Sequence, residues 1–375
     1  MVNIAFPAVA AAFGAPPERM RWVIIGYVLT YSLVSFVGGA AGDRLGHGRV
    51  FAVGLAVSAV GFLLCGTAPT FDWLVIGRVV QGLGGGFVYG TTPALVTLGS
   101  PPEARGRALG MLNGAIGLAF ATGPVLAGTL VEHAGWRWIF HLRAPLALAV
   151  LAWALRSPSA PTLRLATPRL RAADVVRAPV LGAGALAFLA QAGIFAIWLL
   201  APFYLVERRD LGAGVGGFLF MLTPLWTAIA APLAGRLGDR VGPRPLLVGG
   251  LVLETAALAT LSRADASTPL IVVALALAVA GFGLGLFQVP NMTLVMAEFP
   301  ARLQGAAGGF AFFARTLGTV CGVAVLAEVF AARRATAGFD GAFSLALLVA
   351  AGLVAVAALV ALVQHAPPSR PRSEV

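Results

Sequence analysis

The chain has 375 residues, of which 59% are hydrophobic and only 11% are charged. A soluble domain carries about 25% charged residues, so this composition excludes an ordinary soluble protein. The formal net charge of +11 reflects 26 basic residues, all of them arginine, against 15 acidic residues, and most of the arginines lie in short breaks between apolar runs. That distribution is typical of membrane proteins, and it predicts a lipid bilayer rather than nucleic acid as the partner.

Residues 1–13 are apolar but too short to cross a bilayer, because ~13 residues at a helical rise of about 1.5 Å cover only about 20 Å. They lack the charged start of a signal peptide, so we expect the back half of a helix whose front is missing. Because about 20 apolar residues span a bilayer as a helix, the sequence predicts an all-α integral membrane protein with twelve spans, the first of them partial. The other spans are predicted at roughly 21–41, 50–67, 72–98, 108–131, 138–155, 180–206, 215–235, 245–261, 269–297, 305–330 and 342–363.

A short charged loop occurs twice, about half a chain apart. Residues 39–49 read GAAGDRLGHGR, and residues 235–244 read GRLGDRVGPR. Glycines permit a tight reversal, and Asp43 or Asp239 can cap the following helix at its positive end. A generic charged turn that only fixes topology is the alternative, but two copies favour two homologous halves.

The loop resembles the signature loop of the major facilitator superfamily, Gly-x-x-x-Asp-Arg-x-Gly-Arg-[Arg/Lys], with Arg44 and Arg240 at the arginine position. In the first copy, His47 and Gly48 stand where the family has basic residues, so we expect weaker ion pairing there. The resemblance implies the major facilitator fold, in which two six-helix halves surround a central cavity and the substrate binds near the midplane.

The predicted halves are residues 1–155 and 179–364, with a linker at 156–178 and a tail at 365–375. The breaks on the side of the repeated loops hold fifteen arginines, and the opposite breaks hold eight. Because cytoplasmic loops carry the excess of basic residues, we expect the repeated loops, the linker and the tail in the cytoplasm.

The fourth run carries a charge inside the membrane. Residues 74–84 read LVIGRVVQGLG, which resembles the family's Arg-x-x-Gln-Gly motif. A charge in a membrane helix is costly and usually functional, so Arg78 is the leading site candidate of the amino-terminal half. The alternative is an arginine close enough to the helix end for its head to reach the interface.

The fifth run reads AFATGPVLAG over residues 119–128. It resembles the Gly-x-x-x-Gly-Pro-x-x-Gly-Gly motif associated with antiporters, with Gly123 and Pro124 matching and with Ala119 and Ala127 in place of two glycines. Small residues let helices approach closely and proline bends a helix, so ordinary helix packing is the alternative.

Three further segments resemble the EmrB/QacA-type drug:proton antiporters: GWRWIF at 135–140, VNIAFP at 2–7 and RTLG at 315–318. With these, the resemblance covers nearly the whole chain. That branch commonly has fourteen spans, with two between the halves for which 156–178 has no room. Its first span also carries an aspartate before the Val-Asn pair, a position that would precede Met1 here.

A proton-coupled exporter needs an acid that titrates inside the membrane. Glu254 lies in the middle of the ninth span, where we expect it to pair with an arginine or face a lipid-side crevice. Arg315 matches a family position and, with Arg143, would suit an anionic ligand. The side chains expected to line the cavity, or else to form hydrogen bonds between helices, are Asn113, Gln191, Trp198, Gln288 and Asn291.

The sequence therefore predicts a monomeric secondary transporter of the cell membrane that exports a small amphipathic molecule in exchange for protons. We expect Asp43 and Asp239 to act as latches that hold one face closed. No Walker A sequence, metal-ligand cluster or nucleophile–base arrangement is present, so we expect no enzyme activity, cofactor or metal. The alternatives are a metabolite importer or facilitator on the same fold, and a non-transporting relic.

Overall fold

The computed structural model describes residues 2–99, 105–156, 177–298 and 304–363, and every regular element in these ranges is helical. Short helical turns at Val2–Ala5, Pro17–Met20 and Tyr204–Arg208 extend or join the longer helices. The longer helices are α1 Phe6–Phe13, α2 Arg21–Leu45, α3 His47–Gly66, α4 Phe71–Leu98, α5 Arg105–Ala134, α6 Trp138–His141, α7 Arg143–Arg156, α8 Ala178–Phe203, α9 Ala213–Val241, α10 Pro243–Leu261, α11 Leu270–Ala297 and α12 Gln304–Val363.

These helices follow the predicted spans, with two refinements. The sixth span consists of α6 and α7 together, and α12 contains the last two spans. Helix α12 has 60 residues, which would reach about 90 Å at ~1.5 Å per residue, about three times the hydrocarbon core. It is interrupted at Gly338, whose φ of 66° and ψ of −168° are not helical. The break falls between 330 and 342, where the sequence predicts the loop.

By length and hydropathy alone, eight segments of the described chain could cross a membrane, the last being Phe310–Val363. Helices α4 and α5 are not among them, although they contain 28 and 30 residues. Helix α4 holds Arg78, Gln81 and six glycines, which lower its hydropathy. Because neighbouring helices shield such residues from lipid, a helix of this composition can still span the bilayer.

The same packing recurs in the two halves. In the amino-terminal half, α4 packs against α2 and α3, and in the carboxyl-terminal half α11 packs against α9 and α10. A Cβ on Gly54 of α3 would lie 2.9 Å from the carbonyl oxygen of Gly84 in α4, and a Cβ on Gly283 of α11 would lie 2.6 Å from the carbonyl oxygen of Gly250 in α10. Only glycine permits this backbone contact in each half.

Both copies of the repeated loop are reduced to a reversal at one glycine. Gly46 separates α2 from α3 with a φ of 95°, and Gly242 separates α9 from α10 with a φ of 80°. Asp43 and Asp239 lie in the last turns of the preceding helices, and the N-cap positions belong to the glycines. The side chains of both aspartates lie outside the described residues, so the predicted capping stays a prediction. We call this end of the bundle the repeat face.

The opposite end, which we call the Arg19 face, contains the turns at residues 14–20, 67–70, 135–137, 209–212 and 262–269. The halves meet through α5 against α9 and through α2 against α12. Most of the predicted linker at 156–178 and all of the predicted tail at 365–375 lie outside the described ranges, so those domain boundaries stay predictions.

Candidate functional site

Arg78 lies inside the amino-terminal half, with only 6% of its surface exposed. Its Nε donates to the carbonyl oxygen of Val23 at 3.1 Å, and its Nη1 donates to Oε1 of Gln81 at 2.6 Å. The guanidinium carbon lies 4.2 Å from the ring centroid of Tyr27. The head of Arg78 thus joins α4 to α2 instead of reaching the interface, so the interfacial alternative is wrong.

Three of the four tyrosines of the chain gather beside Arg78, a grouping that the sequence analysis missed. Tyr27 and Tyr31 are stacked with centroids 5.4 Å apart, and Tyr89 lies 5.3 Å from Tyr31. Phe312 of α12 contacts Tyr31 edge-on at 5.7 Å. We call Tyr27, Tyr31, Tyr89 and Phe312 the tyrosine cluster. Tyrosine favours membrane interfaces, so the pair at i and i+4 inside the second span was an available signal.

Arg315 lies one turn after Phe312 in α12, and its charge interacts with Tyr31. Arg315 lies about 16 Å along the helix axis from Gln304, the first residue of α12. This distance is roughly half the thickness of the hydrocarbon core. Its Nε is buried and has no hydrogen-bond partner, and no salt bridge joins Arg315 to a carboxylate among the described residues. The structure therefore brings Arg78 and Arg315 to one aromatic cluster from opposite halves.

Glu254 lies in α10 and is completely buried. Neither of its carboxylate oxygens has a hydrogen-bond partner, and the backbone of Gly283 in α11 approaches the backbone of Glu254 closely. The expected pairing with an arginine and the expected lipid-side position are both wrong within the part of the chain that the structure describes. An unpartnered carboxyl in such surroundings is far more stable when protonated.

The segment resembling the antiporter motif packs between the halves. Gly123 and Pro124 are buried in α5, and a Cβ on Gly128 would overlap the carbonyl group of Ala213 at the start of α9. One turn further along, Glu132 accepts a hydrogen bond of 2.9 Å from the backbone N–H of Gly214. The small residues of this segment therefore serve close packing, and the packing joins the two halves.

Ion pairs also join the halves on the Arg19 face. Arg21 at the start of α2 pairs with Glu328 of α12, and Glu18 pairs with Arg334 at 3.5 Å. Deeper in the bundle, Nδ2 of Asn3 donates to the carbonyl oxygen of Trp198 at 2.8 Å. Arg21 and Glu328 lie 307 positions apart, so no local sequence pattern could identify this pair.

Four of the five predicted cavity residues have described side chains. Gln191 and Asn291 are buried, and Oδ1 of Asn291 has no partner. Gln288 is half-buried, and the indole ring of Trp198 packs against Phe220 at 5.0 Å. Among the described side chains, no hydrogen bond or ring contact connects these four residues to the tyrosine cluster.

The side chains of four predicted residues lie outside the description, namely Asp43, Arg44, Asn113 and Asp239. Arg240 is described and exposed on the repeat face.

Comparison with known proteins places the chain among transporters. The family described as Major Facilitator Superfamily matches residues 1–323 and 183–375. The chain is 25% identical to the riboflavin transporter RibZ of Clostridioides difficile over 88% of this chain and 84% of that protein. It is 29% identical to the tetracenomycin C resistance and export protein of Streptomyces glaucescens over 89% of this chain and 73% of that protein.

Among solved structures, a bacterial homologue of the human lysosomal transporter Spinster, in an inward-facing and unoccupied conformation, superposes with a TM-score of 0.80. The superposition covers 98% of this chain and 94% of that one at 14% sequence identity, so it supports the fold alone.

Proposed function

Because the chain belongs to the major facilitator superfamily, and is thus a multi-pass membrane transporter and not an enzyme, we propose that it exports small amphipathic molecules in exchange for protons. The observation that carries the proposal is the position of the antiporter-like segment. Residues 119–128 pack α5 of one half against α9 of the other. A segment placed there controls whether the halves can separate, which is the step that an exchanger must couple to its ligands.

The predicted orientation supports the proposed direction of transport. The arginine excess favours a cytoplasmic position for the repeat face, and the Arg19 face then points outward. In this conformation the halves are joined on the outer face by Arg21–Glu328, Glu18–Arg334 and Glu132–Gly214. Alternating access requires these contacts to break when the cargo is released outside. The relative described as a resistance and export protein supports the same direction.

Glu254 is the proposed proton carrier. It is the one carboxylate that is fully buried among the described residues, and it lies beside the close contact of α10 with α11. Releasing its proton would leave a charge without a partner, which is costly in a membrane interior. Proton release therefore requires a rearrangement that brings water or a cation to Glu254, and this links the proton to the conformational change.

Purified protein in liposomes tests the proposal. With fluorescent hydrophobic cargo and an imposed pH gradient, we expect cargo to move against its own gradient while protons move the opposite way. The gradient should be needed, and collapsing it with a protonophore should abolish net movement. If the cargo moves in the same direction as the protons, the protein is an importer and not an exporter. If cargo movement does not depend on pH, protons are not the coupling ion.

A further inference from the structure

We propose that the tyrosine cluster together with Arg315 binds a flat aromatic molecule that carries a negative charge. This inference rests on the proposed function only in taking the bound molecule to be the transported cargo. It is carried by three observations: aromatic rings with free surface, an arginine with an unused donor, and a cation already seated on the cluster.

The rings offer stacking surface in the middle of the bundle. Tyr89 keeps 41% of its surface exposed and Phe312 keeps 36%, although both contact Tyr31. Aromatic rings in a packed core are usually covered by neighbours, and tyrosine and phenylalanine bind flat rings at little conformational cost because they have few rotatable bonds. The free surface therefore suits a planar aromatic partner.

Arg315 supplies the charge selection. Its Nε is buried without a hydrogen-bond partner, and no described carboxylate forms a salt bridge with it. A guanidinium with a buried Nε and no counterion is costly, and its planar fork matches a carboxylate, sulfonate or phosphate with two parallel hydrogen bonds. A bound anion would supply the hydrogen-bond acceptor that the Nε of Arg315 lacks.

Aromatic clusters more often attract cations through their ring faces. Here that interaction is already made, because the guanidinium carbon of Arg78 lies 4.2 Å from the ring centroid of Tyr27. The charge of Arg315 acts on the neighbouring Tyr31. A cationic cargo would meet two like charges at this site, so the charges favour an anion over a cation.

The site draws on both halves. Tyr27, Tyr31 and Tyr89 belong to α2 and α4, whereas Phe312 and Arg315 belong to α12. A molecule that stacks on the tyrosines and pairs with Arg315 contacts both halves at once. Its affinity therefore depends on how far apart the halves are, which lets binding bias the conformational equilibrium.

Calorimetry on the purified full-length protein in detergent tests this with three probes of equal ring size: 2-naphthoate, 2-naphthalenemethanol and 2-naphthylmethylammonium. We expect the anion to bind at least ~10-fold more tightly than the alcohol, as a charge-assisted hydrogen bond allows, and the ammonium to bind most weakly. Equal affinities, a preference for the ammonium, or no binding of any probe would overturn the proposal.

Variants locate the site. Arg315→Gln should remove the preference for the anion while the alcohol binds as before, and Tyr31→Leu should weaken both probes. The matched control is Arg263→Gln, in an exposed turn of the Arg19 face, which should leave all three affinities unchanged. Retained anion preference in Arg315→Gln would reject the site. Should that variant not be monodisperse, the ranking of probes on the unaltered protein still decides the charge preference.

These measurements use no pH gradient, so they separate the two proposals. Anion selectivity without gradient-driven export would reject the proposed function and keep the site. Gradient-driven export with no selectivity among the probes would reject the site and keep the function.

Discussion

Contacts within each half differ in kind from contacts between the halves. Within the amino-terminal half, Arg78 is buried and donates hydrogen bonds from its Nε and Nη1, and Gly54 meets Gly84 backbone to backbone. Between the halves, Arg21–Glu328 and Glu18–Arg334 are ion pairs at the bundle end, and 66% of the Glu328 side chain is exposed. Exposed pairs contribute about 0–1 kcal/mol, whereas an unpaired buried polar group costs about 1–3 kcal/mol. The difference indicates two stiff halves joined by contacts that can break.

The largest expected effect comes from breaking the interior of one half. Arg78→Ala leaves the oxygens of Val23 and Gln81 without their donor, and each unpaired buried acceptor costs about 1–3 kcal/mol. We expect export in proteoliposomes to fall at least ~30-fold while the protein still inserts into the membrane. The control is Arg263→Ala, an exposed arginine with no role in either half. Robust export by Arg78→Ala would show that this charge does not maintain the half.

A backbone contact between the halves should come next. Gly128→Ala places a Cβ against the carbonyl group of Ala213 in α9, and overpacking of this kind costs about 1–3 kcal/mol. Because this contact joins the two halves, we expect export to fall about 5- to 50-fold. Gly249→Ala is the matched control, since a Cβ there has nothing within 4 Å. Equal export by the two variants would mean that α5 and α9 are not in close contact during the cycle.

The ion pairs should have a smaller effect. The double variant Glu18→Gln, Glu328→Gln removes both described ion pairs between the halves, each of which has one side chain more than a third exposed, Glu328 at 66% and Arg334 at 37%. Water screens such pairs, so each contributes only about 0–1 kcal/mol. We expect a less than ~5-fold change in export and a larger fraction of molecules with a separated outer face, measured by spin-label distances across the Arg19 face. Asp72→Asn removes the Arg19–Asp72 pair inside one half, and it should leave that distance distribution unchanged. A similar change of the distance distribution in both variants would contradict the distinction between contacts within a half and contacts between the halves.

The smallest effect is expected at the turn before α11. Hydrogen bonds from the hydroxyl and backbone N–H of Ser267, joined by Thr268, lower the pKa of Asp265 to about 2. A lowered carboxyl pKa stabilises the turn above the unfolded value of about 3.9, and that stabilisation disappears only as the pH falls toward 2. Asp265→Asn should therefore leave the pH profile of export unchanged between pH 5 and 8. A shifted profile would show that this turn takes part in proton coupling.

Sequence patterns predicted the helices well because hydropathy and glycine reversals are local. The break at Gly338 falls in the predicted gap, and Gly46 and Gly242 occupy the predicted loops. The candidate site was predicted only in part. Arg78 was identified as a charge within a span, but its partners Val23 and Tyr27 belong to another helix. Tyr31 and Phe312 lie 281 positions apart and meet only in three dimensions.

The environment of Glu254 is a second feature that the sequence predicted only in part. Its position in the middle of a span is visible in the sequence, but pairing with an arginine was expected because a charge in a membrane usually has a partner. The packing of α10 against α11 leaves both carboxylate oxygens without one. The absence of a partner depends on every neighbouring helix, so no local pattern could reveal it.

We propose that Glu254 carries the proton. The most direct measurement compares the unaltered protein with Glu254→Gln in liposomes, using cargo counterflow without a pH gradient and export driven by one. Glutamine has nearly the same shape as glutamate but cannot release a proton. We therefore expect counterflow to continue within about twofold of the unaltered rate and gradient-driven export to be lost. Gradient-driven export by Glu254→Gln at the unaltered rate would contradict it.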